Sequence, residues 1–184
     1  MTRVIAGSAR GRHLVTPEGM GTRPTTDRCK EALFGVIQFE VPGSRFLDLF
    51  AGSGQIGIEA LSRGAVSLDL VEQDRRAMSC IRQNLQSLNF TSQSRTWLMS
   101  VEKAILYFHQ EHRQFDMIFM DPPYEHGFEE KIGSLIAECD LLSDQGMLII
   151  ESSSQTDVDL PGLVKIREKT YKTTRFSFFS KAGD

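Results

Sequence analysis

From residue 45 to residue 150 the chain alternates between five short apolar runs and four amphipathic stretches, and this rhythm limits the possible folds more than any other feature. The runs at residues 46–50, 67–71, 95–99, 115–120 and 146–150 have the length and apolar content of buried strands. Helices are predicted over residues 55–63 and 101–109. Another starts from a cap at Asp74, with Ala77, Ile81, Leu85 and Leu88 on one face, and the last is marked by Phe128, Ile132, Leu135 and Ile136. Strands separated by helices require right-handed crossovers, so a mainly parallel sheet covered on both faces is expected, an α/β class.

The flanks differ. Residues 3–6 and 13–16 read as two short strands joined by the Gly-Arg-rich residues 7–12, a hairpin that is marginal alone. Pro17, Gly19, Gly21 and Pro24 mark a loop, and from Thr26 the spacing of Cys29, Leu33, Val36 and Ile37 predicts a helix ending before Pro42. Residues 163–169 and 173–179 are two strands with no helix between them, expected as an antiparallel hairpin at a sheet edge. With 184 residues, 40% apolar and 24% charged, the chain suits one globular domain and excludes a disordered or fibrous chain. No apolar run approaches the roughly 20 residues of a membrane span. The opening MTRVIAGSARGR lacks a secretory apolar stretch, so a cytoplasmic protein is expected. Cys29, Cys80 and Cys139 lie far apart and read as reduced thiols, and His13, His109, His112 and His126 lack ligand spacing, so no metal site is expected.

The net charge of −3 is unevenly spread: residues 1–30 carry a local +4, residues 165–181 carry +5, and the remainder is strongly acidic. Two basic ends on an acidic body permit contact with a polyanion without requiring it.

Asp48-Leu49-Phe50-Ala51-Gly52-Ser53-Gly54-Gln55-Ile56-Gly57 leaves the first parallel strand and enters a helix, and Glu72 follows at the end of the next strand. The glycines allow a tight turn and close approach of a ligand, while Glu72 can accept the hydroxyls of a ribose. The spacing satisfies the dinucleotide pattern G-x-G-x-x-G with a later acid, so a nicotinamide or flavin oxidoreductase is one reading. Against it, Asp48 at the strand's end would repel a pyrophosphate. A zwitterionic, phosphate-free nucleoside such as S-adenosylmethionine has no such conflict, because its ammonium can pair with Asp48.

Asp121-Pro122-Pro123-Tyr124 follows the fourth strand at its carboxyl end, where ligands of open parallel sheets bind. Two prolines fix the backbone and leave the Pro122 carbonyl free to accept. A planar amine could give its hydrogens to Asp121 and that carbonyl while Tyr124 stacks on its ring. An exocyclic base amine is a poor nucleophile, because its lone pair is delocalised into the ring. Two acceptors favour a pyramidal nitrogen aimed at a methyl carbon, so orientation rather than proton abstraction should dominate.

LDLFAGSGQIGIEALSRGA (residues 47–65), TRPTTDRCKEALF (residues 22–34), VIAGSARGR (residues 4–12) and DPPY together resemble the bacterial RsmD family. These are class I methyltransferases that use S-adenosylmethionine to methylate N2 of one guanine in 16S ribosomal RNA. The resemblance implies a Rossmann-like fold in a single domain over residues 1–184. Its mostly parallel seven-stranded sheet would have an antiparallel C-terminal hairpin, and residues 1–24 would form a small RNA-contacting β-hairpin extension. It implies that Asp48, Phe50, Ala51, Gly52, Gly54, Glu72, Gln73, Ser100, Val101 and Asp121 border the cofactor. Asp121 to Tyr124 would hold the guanine amine, and Arg10, Arg12, Arg23 and Thr25 would face RNA. A monomer acting on 16S rRNA or a small-subunit assembly particle is expected, without membrane or metal. Two departures stand out: Ser100 occupies the place where such enzymes often carry an acid for the adenine amine, and Tyr171-Lys172-Thr173 replaces a Tyr-Gly turn.

DPPY is shared by amino-methyltransferases of DNA, RNA and protein, so it does not choose the substrate. A noncatalytic RNA-binding module is a further alternative. Trp97, Phe176, Phe178 and Phe179 read as packing residues, and Arg167 and Lys169 are further RNA-contact candidates.

Overall fold

The computed structural model describes residues 2–17, 26–123 and 127–183. Among these described residues five α-helices, α1 (Asp27–Val36), α2 (Gln55–Ser62), α3 (Arg75–Ser87), α4 (Val101–Gln110) and α5 (Phe128–Glu138), surround seven strands. These are β1 (Arg45–Leu49), β2 (Ser67–Glu72), β3 (Ser94–Leu98), β4 (Phe115–Met120), β5 (Leu142–Ser153), β6 (Leu163–Tyr171) and β7 (Thr174–Lys181). They form one sheet in the order β3-β2-β1-β4-β5-β7-β6. The pairs among β1 to β5 are parallel. The terminal hairpin folds back so that β7 pairs antiparallel with β5, leaving β6 at the edge.

Strand side chains alternate between two apolar layers. Phe46, Leu68, Phe119, Ile149, Phe176 and Phe178 pack with Phe34 of α1, Ile58 of α2 and Ile81 of α3. Leu47, Val71, Ile118 and Ile150 pack with Phe108 of α4 and Ile132 of α5. Phe176, Phe178 and Phe179 are fully buried, as expected of packing residues. Trp97 is half-buried and donates its indole N–H to Asp69 at 2.7 Å.

Side chains cap α1 and α3, the latter at Asp74 as the sequence predicts. Thr26 Oγ1 accepts from the Cys29 N–H at 3.3 Å, and Asp74 Oδ1 accepts from Arg76 and Ala77 at 2.7 and 2.9 Å. β5 begins earlier than expected, at Leu142 rather than Gly146. Leu142 pairs with Phe115, and Met147 pairs with Met117, so β5 bulges between them. Gly146 sits in that bulge, where a Cβ would come within 2.9 Å of the Ser143 backbone.

The hairpin expected over residues 3–16 is present in a short form: Arg3 and His13 make an antiparallel bridge, flanked by the Val4 N–H donating to the Arg12 carbonyl and the Leu14 N–H to the Thr2 carbonyl, each at 2.9 Å. Side chains of α2 clasp the segment as well. Glu59, fully buried, accepts from the N–H groups of Ile5 and Ala6 at 2.8 and 3.0 Å and pairs with Arg63 at 2.8 Å. Ser62 Oγ accepts from the Ala9 N–H and donates to the Ala6 carbonyl. Gly7 lies so close to α2 that a Cβ would stand 1.7 Å from the Ser62 carbonyl oxygen, and its φ is +82°.

Candidate active site

β1 lies between β2 and β4, and the crossovers run in opposite directions from this point, which opens a crevice at the carboxyl ends of β1 and β4. The glycine loop forms one wall. Phe50 takes a left-handed φ of +63°, Gly52 one of +56° and Gly54 one of +77° at the start of α2. The third glycine has a packing reason: a Cβ at Gly57 would stand 2.6 Å from Leu68 Cδ1 and 3.2 Å from Asp48 Oδ2.

Glu72, at the end of β2, accepts from the Gly52 N–H through Oε2 and from the Asp74 N–H through Oε1, each at 2.8 Å. Its carboxylate therefore fixes the bend, and each oxygen keeps a lone pair for a further donor. Asp48 is 2% exposed and accepts the Gly57 N–H at 2.9 Å. Burial raises its pKa to about 7 against that hydrogen bond, and the charges of Asp121 and Glu72 add to the rise.

Asp121 leaves β4 one residue after Met120, the register partner of Leu49, so the acid-proline corner stands beside Phe50 and the glycine loop. Burial, with the Glu129 charge adding to it, also raises the Asp121 pKa to about 7. Pro122 is buried and Pro123 is exposed.

Between these walls and the starts of α4 and α5 is a cavity of about 270 Å³, lined by Phe50, Val71, Glu72, Gln73, Met99, Val101, Glu102, Pro123 and Phe128. Phe50 and Phe128 meet edge to face at 5.7 Å between ring centres. Apolar walls with an acid at the rim suit a planar heterocycle bearing a ribose. A hollow of equal volume lies near the amino ends of β5 and β6, lined by Ile136, Asp140, Leu142, Leu163 and Lys181 among others. It has neither glycine loop nor proline corner, and ligands of such sheets bind at the opposite end.

Of the expected cofactor residues, Phe50, Glu72, Gln73 and Val101 line the cavity, Ala51, Gly52 and Gly54 form the adjoining bend, Asp48 lies beneath that bend, and Asp121, two residues before the lining Pro123, is not itself among the lining residues. Ser100 is placed otherwise: it is not among the lining residues, and its hydroxyl caps α4, accepting from the Lys103 N–H at 3.5 Å. Val71, Met99, Glu102 and Phe128 escaped the sequence reading. Met99 and Glu102 flank a pair that was singled out, and Phe128 opens the helix after the proline corner, so their signal was position at a strand's carboxyl end. Asn84 was missed as well. Only 1% exposed, it accepts from the Val15 N–H at 2.8 Å and donates to the Val15 and Ser53 carbonyls at 2.9 and 3.1 Å, tying the N-terminal segment to the glycine loop. Tyr124, Arg23 and Thr25 lie outside the described residues. Arg10 and Arg12 are exposed, and one Arg12 guanidinium nitrogen donates to the Ser87 carbonyl at 2.9 Å.

The family model described as "Conserved hypothetical protein 95" matches residues 2–180. Ribosomal RNA small subunit methyltransferase D of Haemophilus influenzae is 34% identical over 169 residues, covering 91% of this chain and 88% of that protein. The Escherichia coli protein of the same name is 35% identical over 150 residues, covering 82% of this chain and 74% of that one. The solved structure of Escherichia coli yhhF superposes with a TM-score of 0.85 at 31% identity, covering 98% of this chain and 97% of that one. On these matches and the fold that accompanies them, the chain belongs to the Conserved hypothetical protein 95 family, the RsmD-type ribosomal RNA methyltransferases that its motifs resemble.

Proposed function

We propose that this protein transfers a methyl group from S-adenosylmethionine to the exocyclic N2 of a guanine in small-subunit ribosomal RNA. The observation that carries the reading is the β1–β4 register, which sets the acid-proline corner against the nucleoside-sized cavity. The donor fits the residues present. Asp48, Glu72, Glu102 and Asp121 surround the crevice with acids, which repel a pyrophosphate but suit a cationic, phosphate-free nucleoside. Glu72 would hold the ribose, the Phe50, Val71, Met99, Val101 and Phe128 side chains the adenine, and Asp48 with the glycine bend the amino-acid end. Bound there, S-adenosylmethionine supplies an electrophilic methyl carbon.

The chain's own contribution is orientation. Asp121 and the Pro122 carbonyl accept the two amine hydrogens, which turns the nitrogen lone pair outward from the base plane. Tyr124 stacks on the base, and the excess proton leaves to solvent after transfer. The base must be splayed from its neighbours to enter, as is usual for RNA read at base edges. Arg10, Arg12, Arg23 and Thr25, in the clasped N-terminal extension and the stretch after it, contact the RNA and position it. The acceptor is 16S RNA, alone or in an assembly particle, and the enzyme acts as a cytoplasmic monomer.

Mass spectrometry of ribosomal RNA from a strain lacking the gene tests this. The expected result is loss of one N2-methylguanine from small-subunit RNA and its restoration in vitro by the purified protein. Transfer to DNA or protein with intact ribosomal RNA methylation would refute it.

A further inference from the structure

A second buried acid stands beside the proline corner. Met120 and Ile150 are register partners, so the residues that follow them stand side by side: Asp121, just past the end of β4, and Glu151, still within β5. Phe119 and Ile149, two residues earlier on each strand, pack in the layer beneath α1, and strand alternation sends Asp121 and Glu151 toward that layer. Phe176, the β7 partner of Glu151, packs there too. Cys29, in the first turn of α1, registers the proximity of both acids. Its thiol pKa is raised to about 12, first by burial, then by the Glu151 charge and more weakly by Asp121, against a hydrogen bond with Thr174. Glu151 is only 8% exposed, and it is not among the residues lining the nucleoside cavity. A buried carboxylate thus adjoins the acceptor corner on the side away from the methyl donor.

The amines that such a corner can hold differ in what flanks them. The adenine N6 amine lies next to the N1 lone pair and the cytosine N4 amine next to the N3 lone pair. Guanine N2 alone has a ring N–H, at N1, beside it. A carboxylate at that point accepts the guanine N1–H and faces a repelling lone pair in either other base.

We propose that Glu151 is the residue that selects guanine, its carboxylate accepting the N1–H while Asp121 and the Pro122 carbonyl hold the N2 amine. The inference rests on the guanine-N2 reading above and adds to it the means of discrimination. DPPY does not supply this by itself, because the same four residues serve amines on several kinds of substrate.

The test uses a ribosomal RNA fragment containing the methylated guanine mapped for the wild-type protein, and the same fragment with 2-aminopurine there. 2-Aminopurine keeps the N2 amine and replaces the N1–H with a lone pair. Wild-type kcat/KM is expected to favour guanine by about 10- to 100-fold, because 2-aminopurine sets a lone pair against the carboxylate where guanine offers a donor. In Glu151→Gln the side-chain amide can accept from N1–H or donate to N1, so the ratio should narrow to within about threefold while donor affinity stays unchanged. Equal wild-type rates on the two fragments overturn the proposal without any variant. So does a Glu151→Gln protein that is slowed equally on both, because a purely structural role moves the rates and leaves their ratio. A wild-type protein that methylates no guanine overturns the guanine-N2 reading, and this inference with it.

Discussion

In the proposed role Asp121 accepts amine hydrogens best when ionised, yet burial and the nearby Glu129 charge disfavour that ionisation. With a pKa near 7, the carboxylate fraction rises about tenfold from pH 6 to pH 8, and kcat should rise with it. Asp121→Asn should flatten that rise, and Asp121→Ala should lower kcat at least about 100-fold with donor affinity nearly intact, since orientation supplies the rate. Single-turnover rates against pH, with calorimetric donor titrations, check both. A variant Asp121→Ala with full activity would remove the amine-holding role. Asp48 makes a different prediction, for stability. Its pKa is raised from 3.8 to about 7 in the folded state, so the native protein keeps a proton that the unfolded chain has released. This contribution is fully present below pH 4 and is lost as pH rises through about 7. Asp48→Asn keeps an oxygen for the Gly57 N–H and removes the buried charge. The variant should therefore be more stable than wild type at pH 8, by roughly 1–3 kcal/mol, and this gain should shrink steadily as pH falls from 7 towards 4. Scanning calorimetry across that range would show it.

Among elements, those with strong periodicity were legible. The helix beginning after Thr26, the four strand-helix units and the β6–β7 hairpin all lie within a few residues of where apolar spacing and caps placed them. The β5 start was displaced because its ladder continues past a bulge, and a bulge follows from tertiary pairing that no local pattern encodes. The N-terminal hairpin was legible in its pairing, since Val4 and Leu14 donate across it to Arg12 and Thr2, but what anchors it was not. The Ile5, Ala6 and Ala9 N–H groups go to Glu59 and Ser62, which are more than fifty residues away and look like ordinary polar positions of a helix. In the site, the glycine bend and the proline corner were legible because each requires unusual residues. Met99, Glu102 and Phe128 were not, because a residue lining a cavity differs from its neighbours only in where the strand end puts it. Glu59 is the clasp's most sensitive point. Glu59→Ala leaves two backbone donors and Arg63 without their acceptor, which should cost roughly 2–4 kcal/mol. Hydrogen exchange should quicken most at the Ile5 and Ala6 amides, with the amides of β1 and β4 least affected. Uniform acceleration across the sheet would mean that the clasp and the core unfold as one unit.

For the whole molecule, charge sits apart from chemistry. The crevice is bordered by acids, whereas a local excess of cations falls in the N-terminal segment and along β6 and β7. A polyanion drawn to the crevice itself would be repelled, so on the proposed function the basic ends engage the RNA and a splayed base alone enters the acidic site. In β6 and β7 several cations are already engaged: Lys165 pairs with Asp157, Lys181 with Asp140, and Arg167 donates to the Val36 carbonyl. Arg10 and Arg12 are exposed on a clasped backbone, and the guanidinium of Arg12 has donors beyond the one given to Ser87. Replacing both with Glu should therefore weaken RNA binding more than replacing Lys165 and Lys181. Each lost phosphate contact lowers the slope of log K against log salt by about 0.7 to 0.9, so the double variant should lose roughly 1.5 from its slope. Donor affinity should not change, since neither arginine lines the cavity. Filter binding at several salt concentrations measures the slope directly, and an unaltered slope would place the RNA on another face of the molecule.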